Sequence, residues 1–287
     1  MTSFTYLRPE VIFFGNGPLA DYTLAVLEKH CDIIFHARTK DDLEQVKTLK
    51  REHPDAFGIL ASFGVMVKSD VLDLFEPTGI LNIHPSLLPD LRGASPIESA
   101  ILRGDTSFSV SIMKLVKAMD AGPLYHQITL DDLPLDKDTI YRELATAGAT
   151  WLTENFYILP TPTPQSGEPT FCGKFDKSLS LLTPETKPAS VLMREIIAYK
   201  GFPKSKIALY GHELTVLEAH TSDLTITALS HDNPLMLAPS ASEPYLYTSK
   251  SSLALLCADG HFLFLDRVQP AGKNPMDIRS FLNGYAK

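Results

Sequence analysis

The strongest constraint on the fold is a break just past the middle of the chain. Pro160-Thr-Pro-Thr-Pro164-Gln-Ser-Gly-Glu-Pro169 holds four prolines and a glycine in ten residues. Proline fixes φ and lacks an N–H, so neither a helix nor a central strand crosses such a stretch. It reads as an extended, semi-rigid linker. A chain of 287 residues has two domains as its default. The break therefore predicts a first domain over 1–159, a Pro-rich linker over 160–182 and a second domain over 183–287.

The two halves differ in periodicity. Before the break, apolar runs alternate with amphipathic stretches, the pattern of βα units on a parallel sheet. Strands are predicted at Val11–Phe14, Asp32–Ala37, Gly58–Ala61, Gly79–His84 and Phe108–Val116. Helices are predicted at Leu19–Lys29, Asp41–Glu52 and Thr139–Phe156, the last opened by Asp138 as N-cap. After the break comes one helix, Ser190–Tyr199. Short alternating segments follow at Ile207–Tyr210, Glu213–Ala219, Leu224–Ala228, Leu253–Ala258 and Phe262–Val268. They predict a small antiparallel barrel. The fold class is α/β: a Rossmann-like parallel-sheet domain followed by a small OB-like β-barrel.

Composition narrows the function classes. The longest apolar runs fall far short of the ~18 residues a membrane span requires. No basic-then-apolar leader opens the chain. Cys31, Cys172 and Cys257 are scattered and odd in number, which argues against a disulfide framework or a zinc site. The expectation is a cytoplasmic protein, monomeric, with buried free thiols, no metal and no membrane partner. The net charge of −8 does not advertise a nucleic-acid binder. It is unevenly spread, however: residues 1–170 balance to −9 and residues 171–287 to +1. A polyanion is repelled least by the second half.

One stretch carries chemistry. In Gly79-Ile-Leu-Asn82-Ile-His84-Pro-Ser86-Leu-Leu-Pro89, Asn82 and His84 are two apart on a strand and share a face. They stand at its C-terminal end, where open parallel sheets place ligands. A polar pair there is poor core filling. Asp120, in Met119-Asp120-Ala-Gly122, read alone is a turn former. Gly15-x-Gly17-x-x-Ala20 formally matches a dinucleotide fingerprint. The second strand ends in Phe35-His-Ala-Arg38, without an acidic residue for a ribose. A tight turn that binds no dinucleotide is the reading, because fold does not dictate ligand. An NADP oxidoreductase leaves the Asn-His-Asp set unexplained.

Together, Asn82-x-His84, Ser86-Leu-Leu-Pro89 and an Asp 36 positions beyond the histidine resemble the formyltransferases that use 10-formyltetrahydrofolate. The resemblance spans nearly the whole chain. Gly15-Asn-Gly-Pro-Leu-Ala is similar to that family's first loop. Arg92-Gly93-Ala-Ser-Pro-Ile resembles a family helix start, and Gln269-Pro-Ala-Gly-Lys273-x-x-Met276 its C-terminal signature in tRNA-acting members. Gly201-Phe-Pro203 is a worn version of the family's approach to the second domain. The resemblance implies formyl transfer from 10-formyltetrahydrofolate to a primary amine, with Asn82, His84 and Asp120 catalytic. Asn82 and His84 would be donors to the tetrahedral oxyanion, and His84 or a held water would move the protons. Asp120 would orient that water and favour the protonated histidine. Ser86, Leu87, Leu88 and Pro89 would line the folate pocket, and Phe63, Gly64 and Val65 resemble the loop that touches the pterin. Arg92, Gly93 and Lys273 are candidate tRNA contacts.

The implied acceptor is the free amine of initiator methionyl-tRNA. Members of this kind usually carry a basic, Gly-rich insertion after the second strand. Here Phe35-His-Ala-Arg38 runs straight into the next helix. That departure keeps a second acceptor open: an amino-sugar nucleotide or another small primary amine. A folate- or RNA-binding module without catalysis is disfavoured, because all three polar positions hold chemically competent residues.

Overall fold

The computed structural model describes residues 8–225, 238–240 and 245–285. It divides into two compact units, one of Met1–Ala100 with Asp105–Lys174, the other of Ile101–Gly104 with Phe175–Lys287.

The first unit contains β1 (Glu10–Gly15), α1 (Pro18–His30), β2 (Asp32–Ala37), α2 (Leu43–Glu52), β3 (Phe57–Ala61), α3 (Ser69–Leu72), β4 (Ile80–His84), β5 (Arg92–Gly93), α4 (Pro96–Arg103), β6 (Ser107–Lys114), β7 (Leu124–Asp131), α5 (Lys137–Asn155) and β8 (Phe171–Cys172). Its main sheet has the order β2-β1-β3-β4-β6-β7. Strands β2, β1, β3 and β4 are parallel, whereas β6 runs antiparallel to both β4 and β7. The Rossmann-like expectation thus holds for four neighbouring strands of a six-stranded mixed sheet. The reversed strand is β6; beyond it β7 alternates exposed and half-buried residues as an edge strand does, and sequence periodicity missed it.

Central strands read as continuous apolar runs because both faces are covered. Val11, Ile12, Phe13 and Phe14 are fully buried. On one face Ile12, Phe14, Leu60, Phe63, Phe75 and Ile80 form a core with α2 and α3. On the other, α5 crosses β4 and β6, with Gly148 of α5 closely approached by Ile83 and Val110. The N-cap of α5 is Asp136, whose carboxylate accepts from Thr139 N at 2.9 Å, a bond worth about 1 kcal/mol. Asp138, the predicted cap, lies inside the helix and instead accepts from Tyr22 Oη at 3.0 Å.

The predicted linker is one only in part. Residues 160–174 belong to the first unit and 175–182 to the second. Thr163 exchanges both backbone hydrogen bonds with Leu124, at 2.7 and 2.9 Å, and β8 pairs in parallel with β5. Prolines hold this stretch extended, and an extended chain presents the carbonyls and intervening N–H groups that an open sheet edge requires.

The second unit contains α6 (Ala189–Ala198), β9 (Ser205–Leu209), β10 (His212–Thr225), β11 (Ala238–Pro239), β12 (Leu246–Thr248), β13 (Leu253–Leu256), β14 (His261–Pro270), β15 (Met276–Asp277) and α7 (Ile278–Tyr285). The strands make one antiparallel sheet, ordered β11-β12-β13-β14-β10-β9 with β15 beside β14, curled into a half-barrel. Leu192, Ile196, Leu214, Leu255, Leu265 and Phe281 fill it. Glu213–Ala219 is the start of one long strand, bulged where its register to β14 shifts. Residues 226–228 of the predicted Leu224–Ala228 strand lie outside the described residues.

Candidate active site

Strand β4 sets the site. Asn82 pairs with Leu60 of β3 and Met113 of β6, and His84 with Ser111. Alternation puts Ile83 towards α5 and puts Asn82 and His84 on the opposite face. Both side chains are buried, at 4% and 5% exposure, yet among the described residues the Asn82 amide has no hydrogen-bond partner. The amide is not among the fully enclosed polar atoms that lack a partner, so it is open to meet a ligand.

His84 is oriented from two sides. Its Nε2 lies 3.0 Å from the Leu91 carbonyl oxygen. A carbonyl only accepts, so Nε2 carries the proton and Nδ1 keeps its lone pair. Nδ1 stands 3.7 Å from Asp120 Oδ1, too far for a direct hydrogen bond but well inside Coulombic range. Burial lowers the His84 pKa, and the Asp120 charge offsets this only in part. Asp120 does favour imidazolium, as expected from sequence, but burial outweighs it and the resting ring is neutral. A neutral ring presents an acceptor at Nδ1, so it is a base there and becomes a donor only after taking a proton.

Asp120 occupies a left-handed turn with φ 46°. Its Oδ2 accepts from Gly93 N at 2.8 Å. Gly93 has φ 124°, and a Cβ there would stand 2.1 Å from the Cys172 carbonyl oxygen, so β5 and β8 meet at a distance that only glycine permits. Arg92 turns away from solvent to donate from Nε and Nη2 to Gln165 Oε1, at 3.1 and 2.6 Å.

The expected folate residues fall into two groups. Ser86 is buried; its Oγ donates to Asp90 O at 2.6 Å, and its carbonyl accepts from Ser111 Oγ at 2.6 Å. Leu88 is core at 3% exposure, its N–H donating to Ser111 Oγ and its carbonyl accepting from Gln127 Nε2. Leu87 is 48% exposed and Pro89 is half-buried. Phe63 is also core, edge-on to Phe14 with ring centroids 5.6 Å apart. Gly64, at φ 69°, and the half-buried Val65 carry the chain round a turn. The Leu88 and Phe63 side chains are thus core, and Leu87 is the leucine left exposed. Sequence reading missed Ser111, Gln127 and Gln165. None sits in a motif, and only Gln165, a polar residue among prolines, carried any signal.

Lys273 lies in the second unit on an exposed turn, where Gln269 Nε2 donates to its carbonyl at 2.9 Å. That unit also bears an open groove of about 740 Å³ whose lining includes Lys177, Lys204, Lys206, Phe202 and Gln269. Lys206 pairs with Glu213 at 2.8 Å, whereas Lys177 and Lys204 make no ion pair among the described residues. Also among the described residues, no cluster of three or more His, Cys, Asp or Glu could hold a metal ion, and no helix is long and apolar enough to cross a membrane.

Two family descriptions match this chain: Formyl transferase over residues 19–156, and Formyl transferase, C-terminal domain over residues 184–286. The chain belongs to the formyl transferase family, and it is a formyl-transferring enzyme whose family uses formyl-tetrahydrofolate. Among its relatives is a Methionyl-tRNA formyltransferase of Chloroflexus aggregans, 33% identical over 261 residues, which are 88% of this chain and 78% of that protein. Among solved structures it is similar to HypX from Aquifex aeolicus in complex with tetrahydrofolic acid, with TM-score 0.70 and 16% identity, over 97% of this chain and 47% of the longer HypX chain. It is also similar to an N-formyltransferase from Helicobacter canadensis in complex with folinic acid and dTDP-3-aminofucose, with TM-score 0.62 and 12% identity, over 92% of this chain and 99% of that one.

Proposed function

We propose that the chain transfers the formyl group of 10-formyltetrahydrofolate to the amine of initiator methionyl-tRNA, acting as a cytoplasmic monomer. The observation that carries the chemistry is the Asn82 amide, without a hydrogen-bond partner among the described residues, beside a neutral His84 whose Nδ1 faces Asp120. The amine nitrogen attacks the formyl carbon and forms a tetrahedral oxyanion. The Asn82 amide donates to that oxygen, a stabilisation that removal of one such donor shows to be worth ~10²–10³ in rate. His84 Nδ1 takes the proton the amine must lose. The Asp120 carboxylate stabilises the imidazolium so formed, and that proton goes to folate N10 as the C–N10 bond breaks. The products are the formylated amine and tetrahydrofolate, with no net change in protons.

The acceptor reading rests on the relatives' name and on the second unit's groove. Two unpaired lysines beside the half-exposed Phe202 suit a phosphate backbone with a base stacked upon it. The competing acceptor, an amino-sugar nucleotide, is favoured by one feature. The β2-to-α2 connection is a tight turn, closed by Asp42 Oδ2 accepting from Arg38 N and Thr39 N, both at 2.7 Å. There is no room in it for a basic insertion.

The test is purified protein with 10-formyltetrahydrofolate and either charged initiator tRNA or a dTDP-amino sugar. Formylation of methionyl-tRNA is expected; formylation of the sugar alone refutes the acceptor. Lys177→Glu with Lys204→Glu is expected to raise KM for tRNA about tenfold and leave kcat near that of the parent, through loss of two phosphate contacts. An unchanged KM moves the RNA contact elsewhere.

A further inference from the structure

We infer that Gln165 is a positioning residue, a clamp that holds Asp120 at its working distance from His84. The inference rests on the roles proposed above for His84 and Asp120, and adds a member to their site from outside every motif.

The Gln165 amide is fully used. Nε2 donates to two carbonyl oxygens, Asp120 O and Gly122 O, each at 2.8 Å. Oε1 accepts from Arg92 Nε at 3.1 Å and Nη2 at 2.6 Å. Both donors and both acceptor positions are satisfied, and the orientation is forced. A flipped amide would aim its NH₂ at a guanidinium and its oxygen at two carbonyls. No other residue type of this reach both donates twice and accepts twice.

The bonds close a ring. Gln165 grips the Asp120 backbone and Arg92; Gly93, the next residue after Arg92, grips the Asp120 carboxylate. Asp120 needs such a grip, because its φ of 46° belongs to a region that residues with a Cβ populate sparsely. Gln165 is itself fixed from both sides. Thr163 is bridged to Leu124, and Thr170 Oγ1 accepts from Leu91 N at 2.8 Å. The proline-rich stretch therefore supplies a residue to the site.

The sign of the His84 shift separates clamp from scaffold. Among the described residues Asp120 is the charged group that raises the His84 pKa, together with the Leu91 hydrogen bond, against the larger lowering effect of burial. If the clamp is lost and the pocket stays closed, Asp120 drifts away and the His84 pKa falls further. If Gln165 merely stiffens the fold, its loss opens the pocket and the His84 pKa rises towards the ordinary histidine value.

The experiment compares Gln165→Met and Gln165→Glu with the parent, measuring kcat and KM for 10-formyltetrahydrofolate with methionyl-initiator tRNA, and titrating His84 by NMR with labelled imidazole. Glutamate keeps the acceptor for Arg92 but cannot donate to the two carbonyls, and it serves alone if the methionine variant fails to fold. Expected are a kcat lowered ~10- to 100-fold in both, as a misplacement of about 1 Å produces, a donor KM within about threefold and, in the uncharged Gln165→Met, a lowered His84 pKa. Parent-like turnover in Gln165→Glu, or a raised His84 pKa in Gln165→Met, overturns the clamp. Asp120→Asn separates the two levels. If it retains full turnover, the assigned role of Asp120 fails; if it is impaired while Gln165→Glu is not, only the clamp fails.

Discussion

Gly93→Ala probes the architecture that places Asp120. The new Cβ would sit 2.1 Å from the Cys172 carbonyl oxygen, a backbone atom that moves only if β5 and β8 separate. Relieving this overlap costs about 1–3 kcal/mol. Holding a residue with a Cβ at φ 124° costs of the order of another 1–3 kcal/mol. The sum, about 2–6 kcal/mol, is a large share of a typical ~5–15 kcal/mol stability without exceeding most of that range. For a unit of this size it corresponds to a fall in melting temperature of roughly 4–24 °C. The same displacement reaches the site, because Gly93 N anchors Asp120 Oδ2 at 2.8 Å and Ala94 N anchors on the same Cys172 carbonyl at 3.1 Å. A shift of about 1 Å at a catalytic group lowers turnover ~10²-fold. Calorimetry of the first unit's transition and steady-state kinetics below its onset test both halves. Parent-like melting would refute the steric reasoning, and parent-like kcat in a destabilised protein would refute the link between β5 and Asp120.

Asn82→Ala and His84→Ala should each lower kcat by ~10²–10⁴ and leave donor affinity close to the parent's, read by equilibrium binding of a folate analogue; full turnover in either removes that residue from the chemistry. Phe63→Ala should destabilise the protein by about 3–5 kcal/mol, because its ring packs in the core beside Phe14; a loss confined to folate binding, at parent stability, would return Phe63 to the pocket. Acid should inactivate by protonating His84. Its folded pKa lies below its unfolded value, so the neutral ring's contribution to stability is complete above the unfolded pKa of about 6.5 and is lost as pH falls through the folded one. In Asp120→Asn the acid limb of the kcat/KM profile should move to lower pH, and a move to higher pH contradicts the assigned electrostatics.

The sequence by itself determined the two-part organisation, the βα character of the first half, the antiparallel character of the second and the strand end that bears Asn82 and His84. These follow from local periodicity and from proline, which act within a few residues and so leave a trace in any window. Asp120 became legible only through its fixed offset within a family pattern, since nothing local separates it from a turn aspartate. Tertiary structure decided the rest. It reversed β6 within the sheet, sent the Leu88 and Phe63 side chains into the core while leaving Leu87 exposed, and moved the α5 cap from Asp138 to Asp136. It also settled the histidine. Which imidazole nitrogen is free depends on the Leu91 carbonyl, and the resting charge on burial outweighing Asp120, a balance of distances between residues far apart in sequence. The proline-rich stretch shows the same division. Its composition dictates an extended chain, but only the open edges beside β5 and β7 decide that the chain is captured rather than left as a tether. That capture places Gln165 against Asp120.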